Sequence, residues 1–325
     1  MNERSGGMDY EAIANEEKEI AAKKLELEKA AEMWGDTEKK IDIVINKYEI
    51  EPGVENEGAN HSEFDRDMSE LMLAQLRNFG KFSTEQFTEV SQNLDSFIER
   101  VSPKFHEKDL REIYDALLLM MTLHIDQKDR LEGTPYVSHP LFVAHRVIEM
   151  QGTPDKEVLI SAILHDSVED QADKLAEFAG EEGKGLSEID AAYIEIENKY
   201  GKRVSETLSK LSNPDFDAIL AEQGITKEMP NYAEMKNTLY KDHVAEAIED
   251  LDVLPIKLAD FSENTSRLAD FPVDSEAGSK QREKLIKKYL PVMKVFIDRL
   301  ERDGLYPEDR EILENRYEKL ANAQM

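Results

Sequence analysis

Apolar residues recur every three to four positions along most of the chain, with polar residues between them. Segments such as EAIANEEKEIAAKKLELEKAAEMW, DLREIYDALLLMMTLHI and KQREKLIKKYLPVMKVFIDRLE show this spacing, which gathers the apolar side chains on one face of an α-helix. Alternation of the kind that a half-buried strand requires is nearly absent. The pattern therefore predicts an all-α fold.

Local signals predict where several helices begin and end. Ser83 and Gln86 have the spacing of a capping box, which would start a helix running to Val101. Pro103 and Pro140 each suit the first turn of a helix, where a missing N–H costs nothing. Gly35 follows the first long helical pattern and predicts its end.

Composition narrows the class of protein. The 325 residues include 40% apolar residues, enough for a sizeable core, and no cysteine, so any bound metal must use nitrogen and oxygen ligands. The net charge of −29, from 41 basic and 70 acidic residues, disfavours binding to nucleic acid or to an anionic membrane. The apolar runs are too short to span a bilayer and the N-terminus lacks the apolar core of a signal peptide, so we expect a cytoplasmic protein.

One short segment, ILHDSVED, concentrates ionisable groups in an otherwise apolar pattern. On a continuous helix, His165 would lie above Glu169 and Asp166 above Asp170, because residues four apart share a face. Burying these groups together costs several kcal/mol per carboxylate unless a cation or strong donors satisfy them. A divalent metal would do so. Taken alone, the segment also fits a solvated helix end, which is the simpler interpretation.

Two further segments favour the metal. His139 directly precedes Pro140 at the predicted start of a helix, and Asp260 and Asn264 are four residues apart in the apolar helix IKLADFSENTSRL. His139, His165, Asp166 and Asp260 together supply two imidazoles and two carboxylates. Manganese, iron, magnesium and zinc all accept such a donor set.

The blocks EGTPYVSHPLFVAHRV, AILHDSVED, KYGKRVSETLSKL and IKLADFSENTSRL resemble, in order and spacing, the hydrolase domain of the RelA/SpoT alarmone enzymes. These belong to the HD-domain metal-dependent phosphohydrolases, and the resemblance extends to the small stand-alone alarmone hydrolases. It covers residues 105 to 305. It implies an HD-domain helical bundle over residues 101–305, after an N-terminal helical extension (1–100) and before a helical tail (306–325).

The resemblance also implies roles for individual residues. The metal, usually manganese, would be held by the residues His139, His165, Asp166 and Asp260. Glu169 and Asp170 would handle the attacking water, beside Asn264, while Lys128, Lys210 and Tyr289 fall at substrate-contacting positions. The reaction would remove the 3′-diphosphate of (p)ppGpp, giving GDP or GTP and pyrophosphate. Because few residues follow Leu305, we expect no alarmone synthetase module.

Departures from the family pattern leave alternatives open. Lys128 and Asp129 stand where the family usually has an Arg-Lys pair whose arginine stacks on guanine, and lysine is a poor substitute for a planar guanidinium. The substrate could therefore be ppApp or another 3′-phosphorylated nucleotide. A third alternative is a non-catalytic metal-binding regulatory protein. The N-terminal helices could bind a protein partner or a second copy of the chain.

Overall fold

The computed structural model describes residues 10–48, 61–130, 133–266, 268 and 275–322, and these residues form fourteen α-helices and no strand. The all-α prediction is confirmed. In chain order the helices are α1 (Tyr10–Tyr48), α2 (His61–Phe79), α3 (Thr84–Val101), α4 (Glu107–His124), α5 (Ser138–Gln151), α6 (Lys156–Ile163), α7 (Ser167–Phe178), α8 (Glu188–Tyr200), α9 (Lys202–Leu211), α10 (Phe216–Glu222), α11 (Tyr232–Ala247), α12 (Val253–Ser266), α13 (Glu276–Asp303) and α14 (Pro307–Asn322).

Helix α4 lies at the centre of the molecule. Every residue from Ala116 to His124 is buried, because the run ALLLMMTL is apolar on all sides and α1, α2, α6 and α7 pack around it. A helix that is apolar on every face is stable only when other elements surround it. None of the described helices has both the length and the apolar character needed to cross a membrane.

Helix α12 separates two apolar clusters and so has a fixed orientation. Val253, Ile256 and Ala259 belong to the large cluster around α4, whereas Leu254 and Leu258 belong to a second cluster built with α11, α13 and α14. Because both flanks of α12 are buried, rotation about its axis would expose one of them. The remaining stripe, which includes Asp260 and Asn264, is thereby held toward α5.

The N-terminal helices share the large cluster with the rest of the chain. Trp34 of α1, Phe64 of α2 and Phe97 of α3 are each at most 3% exposed and pack in the same core as α4. Lys199 of α8 fixes α1 further, because its ammonium lies 4.8 Å from the centre of the Trp34 ring and donates to Glu38. The division of the chain at residue 100 and the role of residues 1–100 stay predictions.

The predicted helix boundaries had mixed outcomes. The capping box is present, since Ser83 accepts from the backbone of Gln86 and the Gln86 side chain accepts from the backbone of Ser83. Pro140 lies in the first turn of α5. The stop at Gly35 is wrong, because α1 continues to Tyr48 with Trp34 and later residues anchored in the core. Pro103 lies in a short 3₁₀ turn, and α4 begins only at Glu107.

We expect Trp34→Ala to lower the stability of the whole fold. Loss of a buried aromatic side chain costs about 3–5 kcal/mol, and the indole also packs on Phe178. Urea unfolding followed by circular dichroism at 222 nm should show a lower midpoint. Ile43→Ala, on the same helix but 68% exposed, serves as control. A parental midpoint for Trp34→Ala would mean that α1 does not contribute to the cooperative core.

Candidate metal centre

The His-Asp pair at the centre of ILHDSVED lies in a turn between two helices. Helix α6 ends at Ile163 and α7 begins at Ser167, so Leu164, His165 and Asp166 are outside both. The expectation of one continuous helix with stacked residues is therefore wrong. On a regular helix, consecutive side chains point about 100° apart, so two neighbours cannot easily meet at one point. The turn removes that restriction for His165 and Asp166.

The break in the helix also orients the first imidazole. Ala162 lies in the last turn of α6, where carbonyls lack helical partners, and its oxygen is 3.0 Å from Nδ1 of His165. An Nδ1–H that donates to this carbonyl leaves Nε2 without a proton and free to act as a ligand. His165 is 5% exposed, so the orientation is held on all sides by packing.

Three segments that are distant in sequence meet at this turn. Nε2 of His139, from the first turn of α5, lies 3.3 Å from Nε2 of His165 and 3.3 Å from Oδ1 of Asp260 on α12. Oδ2 of Asp166 lies 3.5 Å from Nε2 of His139 and 3.2 Å from Nε2 of His165. The structure thus brings the four predicted ligands together.

The electrostatics of this cluster favour positive charge. Burial alone would lower the pKa of His139, but Asp260, Glu263 and Asp166 raise it to about 10. Burial would raise the pKa of the Asp166 carboxyl, but the two imidazoles hold it well below its usual range. The pKa of Asp260 is lowered in the same way, against its burial. The carboxylates are therefore ionised, and the site attracts protons or another cation.

The donor set fits a divalent metal ion. Ligand atoms about 2.0–2.2 Å from a common ion lie about 3.0–3.5 Å from one another, which matches the distances between the imidazole nitrogens and the carboxylate oxygens. His139, His165 and Asp260 each offer an atom within 4.8 Å of the other two. Two imidazoles 3.3 Å apart could not both carry a proton at Nε2 without repulsion. This group could hold a metal ion, with Asp166 beside it.

The two acids predicted to handle water are exposed but fixed in place. Asn213 donates to the Glu169 carboxylate from both its backbone and its side-chain nitrogen, at 3.0 to 3.1 Å. Gln127 donates to Asp170 at 2.9 Å. Both acids line a cleft of 660 Å³ between α7, α8 and α9, a size typical of small-molecule sites. Neutral amide donors thus hold both carboxylates in place.

Sequence reasoning missed two residues beside the metal cluster. The Tyr136 hydroxyl donates to Oδ2 of Asp166 at 2.6 Å, and its ring stacks on the buried His124. Tyr136 is part of the block EGTPYVSHP, three residues before His139, so that spacing was a usable signal. No local signal marked His124, which comes from α4 and reaches the site only through packing.

A third missed residue, Glu263, lies one turn after Asp260 on α12. Its Oε2 is 3.2 Å from Nδ1 of His139, on the side of the ring opposite the metal cluster. Asn264, the next residue, donates from Nδ2 to Oδ1 of Asp260 at 2.5 Å. The stripe of α12 that faces α5 therefore supplies both a candidate ligand and the groups that contact the ligands.

The predicted substrate contacts have different surroundings. Lys128 is exposed, and the half-exposed Lys210 pairs with Asp250 at 2.6 Å. Tyr289 of α13 packs edge-to-face on Phe261 of α12. Burial, together with the charge of Asp260, raises the pKa of Tyr289 to about 12. Of these three residues, only Tyr289 is placed by these contacts against α12, the helix that carries Asp260.

Comparison with curated proteins agrees with the resemblance seen in the motifs. The chain is 26% identical over 229 residues to the bifunctional (p)ppGpp synthase/hydrolase SpoT of Escherichia coli strain K12, covering 70% of this chain and 26% of that protein. It is 26% identical over 196 residues to guanosine-3′,5′-bis(diphosphate) 3′-pyrophosphohydrolase of Aquifex aeolicus, covering 60% of this chain and 22% of that protein. A probable enzyme of the same name from Mycoplasma pneumoniae is 24% identical over 233 residues, with 71% and 26% covered.

These similarities have a defined extent. The chain spans about a quarter of the length of the curated relatives it matches, and no family model matches it. The resemblance to RelA/SpoT-type alarmone hydrolases is confirmed at this distance.

We expect metal binding to depend on the converging acids. A divalent ion bound to the folded state raises its stability by about 2.7 kcal/mol at a concentration 100 times the dissociation constant. Added Mn²⁺ should therefore raise the melting temperature of the parent protein but not that of Asp166→Asn or Asp260→Asn. Asp298→Asn, which changes an exposed acid of α13 paired with Lys294, should respond like the parent. An equal response in all four proteins would show that the ion binds elsewhere.

Proposed function

We propose that this chain is a manganese-dependent hydrolase that removes the 3′-diphosphate from guanosine alarmones, releasing pyrophosphate. The observation that carries the proposal is the convergence of His139, His165, Asp166 and Asp260, with the acidic pair Glu169 and Asp170 in the first turn of the helix that begins directly after Asp166. A binding protein needs the first group but has no use for the second. The names of the curated relatives support the choice of substrate.

The proposed reaction breaks the bond between the 3′ oxygen and the adjacent phosphorus. A bound divalent cation would supply positive charge for the phosphate oxygens and would make water more acidic. Glu169 and Asp170 lie in the first turn of α7, directly after Asp166, and one of them would take a proton from the attacking water. The departing 3′ oxygen receives a proton from one of the same two acids. Hydrogen bonds from Asn213 to Glu169 and from Gln127 to Asp170 would hold both carboxylates in place during these proton transfers.

Residues on α11 and α13 are suited to the nucleotide. The ammonium of Lys288 lies 4.4 Å from the centre of the Tyr240 ring and 4.8 Å from that of Tyr289. It forms no ion pair with a carboxylate among the described residues. Burial lowers the pKa of Lys288, while Asp260 and Glu169 act in the opposite direction. We infer that Lys288 meets a phosphate of the substrate and that Tyr289 borders the nucleoside.

The activity is tested by measuring pyrophosphate release with Mn²⁺ from ppGpp and, in parallel, from ppApp. We expect Glu169→Gln to keep metal binding but to lower kcat about 100-fold or more, because removing an acid–base group costs about 10²–10⁴-fold. Glu177→Gln, an exposed change on the same helix, is the control. Release of pyrophosphate from ppApp alone would show that the base of the substrate is adenine and not guanine. No release from either substrate by a parent protein that binds Mn²⁺ would favour the regulatory alternative.

We expect Lys288→Met to raise the KM for ppGpp more than it lowers kcat, because the ammonium would bind the substrate's charge without taking part in bond breaking. Lys287→Met is a matched control, since this neighbour is exposed and pairs with Glu283. Steady-state kinetics of both variants decide the question. An unchanged KM in Lys288→Met would contradict the contact.

A further inference from the structure

Arg130 connects two parts of the metal centre from outside it. It follows α4 in the chain, yet its Nη2 donates to Oε2 of Glu263 at 2.7 Å and to Oδ1 of Asn264 at 3.0 Å. These two residues are consecutive on α12, more than 130 positions later. A single guanidinium therefore holds two neighbouring side chains of the helix that carries Asp260.

Each of the two side chains held by Arg130 contacts a different candidate ligand. Glu263 places Oε2 3.2 Å from Nδ1 of His139, and Asn264 donates to Oδ1 of Asp260 at 2.5 Å. The Nδ1 atom is buried, and no described group accepts from it in line. A small rotation of Glu263 or of the ring would let this carboxylate accept the Nδ1 proton, which would leave Nε2 for the metal.

The loop that presents Arg130 is itself fixed. The Arg130 backbone N–H donates to the carbonyl of Thr134, and its own carbonyl accepts from Gly133, which has φ of +82°. Gln86, the residue of the capping box, donates to Asp129 and to the carbonyl of Gly133, both at 2.8 Å. These hydrogen bonds attach the loop that carries Arg130 to α3.

The pair of Arg130 with Glu263 is also partly shielded from water. Their side chains are 19% and 20% exposed, whereas surface pairs such as Lys24 with Glu28 and Lys184 with Glu181 are more than half exposed on both sides. Exposed pairs contribute little because water and salt screen them, but a shielded pair with a second hydrogen bond from the same guanidinium keeps its geometry.

We propose that Arg130 is a positioning residue of the metal centre, which aligns His139 through Glu263 and Asp260 through Asn264. Contacts of this kind typically change metal affinity about 10- to 100-fold when they are removed. The proposal concerns metal binding alone, so it does not depend on which nucleotide is hydrolysed.

The test is a titration of the full chain with MnCl₂, in which electron paramagnetic resonance measures free Mn²⁺ and no nucleotide is present. We expect the dissociation constant to rise about 10- to 100-fold in Arg130→Ala. Arg130→Lys should fall between this variant and the parent, because one ammonium cannot reproduce the planar fork. Arg203→Ala is the control, since Arg203 also bridges two acids, Asp155 and Asp252, but on the surface. Parental affinity in Arg130→Ala would overturn the proposal.

A double-variant cycle tests whether Arg130 acts through Glu263. Glu263→Ala should weaken Mn²⁺ binding, and Glu263→Gln, which keeps an acceptor oxygen, should weaken it less. In the double variant Arg130→Ala/Glu263→Ala, the loss of affinity should be smaller than the product of the two single losses, because both changes remove one shared contact. A loss equal to that product would overturn the route through Glu263.

These outcomes are separate from the proposed activity. Circular dichroism without metal identifies any variant that fails to fold. In that case the Mn²⁺ dissociation constant of Glu263→Gln, which is close in shape to the parent residue, is used instead. If the parent protein binds Mn²⁺ but hydrolyses no nucleotide, the proposed function fails and the positioning role of Arg130 is still measured. If Arg130→Ala binds Mn²⁺ as the parent does, the positioning role of Arg130 fails. The release of pyrophosphate by the parent protein still tests the proposed function.

Discussion

The site depends on the convergence of two imidazoles and two carboxylates at one partly buried point. Separate carboxylates repel each other and lose hydration there, so the cluster is tolerable only because positive charge lies between them. Protons on the imidazoles can supply that charge, as the raised pKa of His139 indicates. A divalent ion held by His139, His165 and Asp260, with Asp166 beside them, would supply it better. The surrounding helices are arranged so that this convergence is enforced by apolar packing.

Two features of the fold provide that enforcement. The first is the break between α6 and α7, which lets consecutive residues, His165 and Asp166, turn toward one point while the freed carbonyl of Ala162 fixes the imidazole. The second is α12, whose rotation is fixed by an apolar cluster on either flank. Because large apolar surfaces hold both elements, the geometry of the charged groups costs little additional ordering.

An ion pair between residues that are distant in sequence lies beside the candidate ligands. The guanidinium of Arg130 contacts Glu263 and Asn264 of α12. Glu263 in turn lies against His139. Glu263 is partly buried, and the guanidinium of Arg130 supplies the opposite charge beside it. The contacts from Arg130 through Glu263 to His139 therefore join the loop after α4 to the candidate metal centre.

The sequence alone determined the helical class, the capping box at Ser83 and the four candidate ligands, because helical periodicity, caps and the spacing of a motif are local properties. Local signals gave the wrong end for α1 at Gly35 and wrongly predicted a continuous helix through His165. At both places tertiary packing outweighs the local preference for helix or turn. Tyr136 has a signal in the sequence, since it lies three residues before His139, whereas only the tertiary structure revealed His124, Glu263 and the link to Arg130. Contacts between residues more than 130 positions apart leave no periodic trace in a single sequence, since they arise from how helices pack and not from how each one forms.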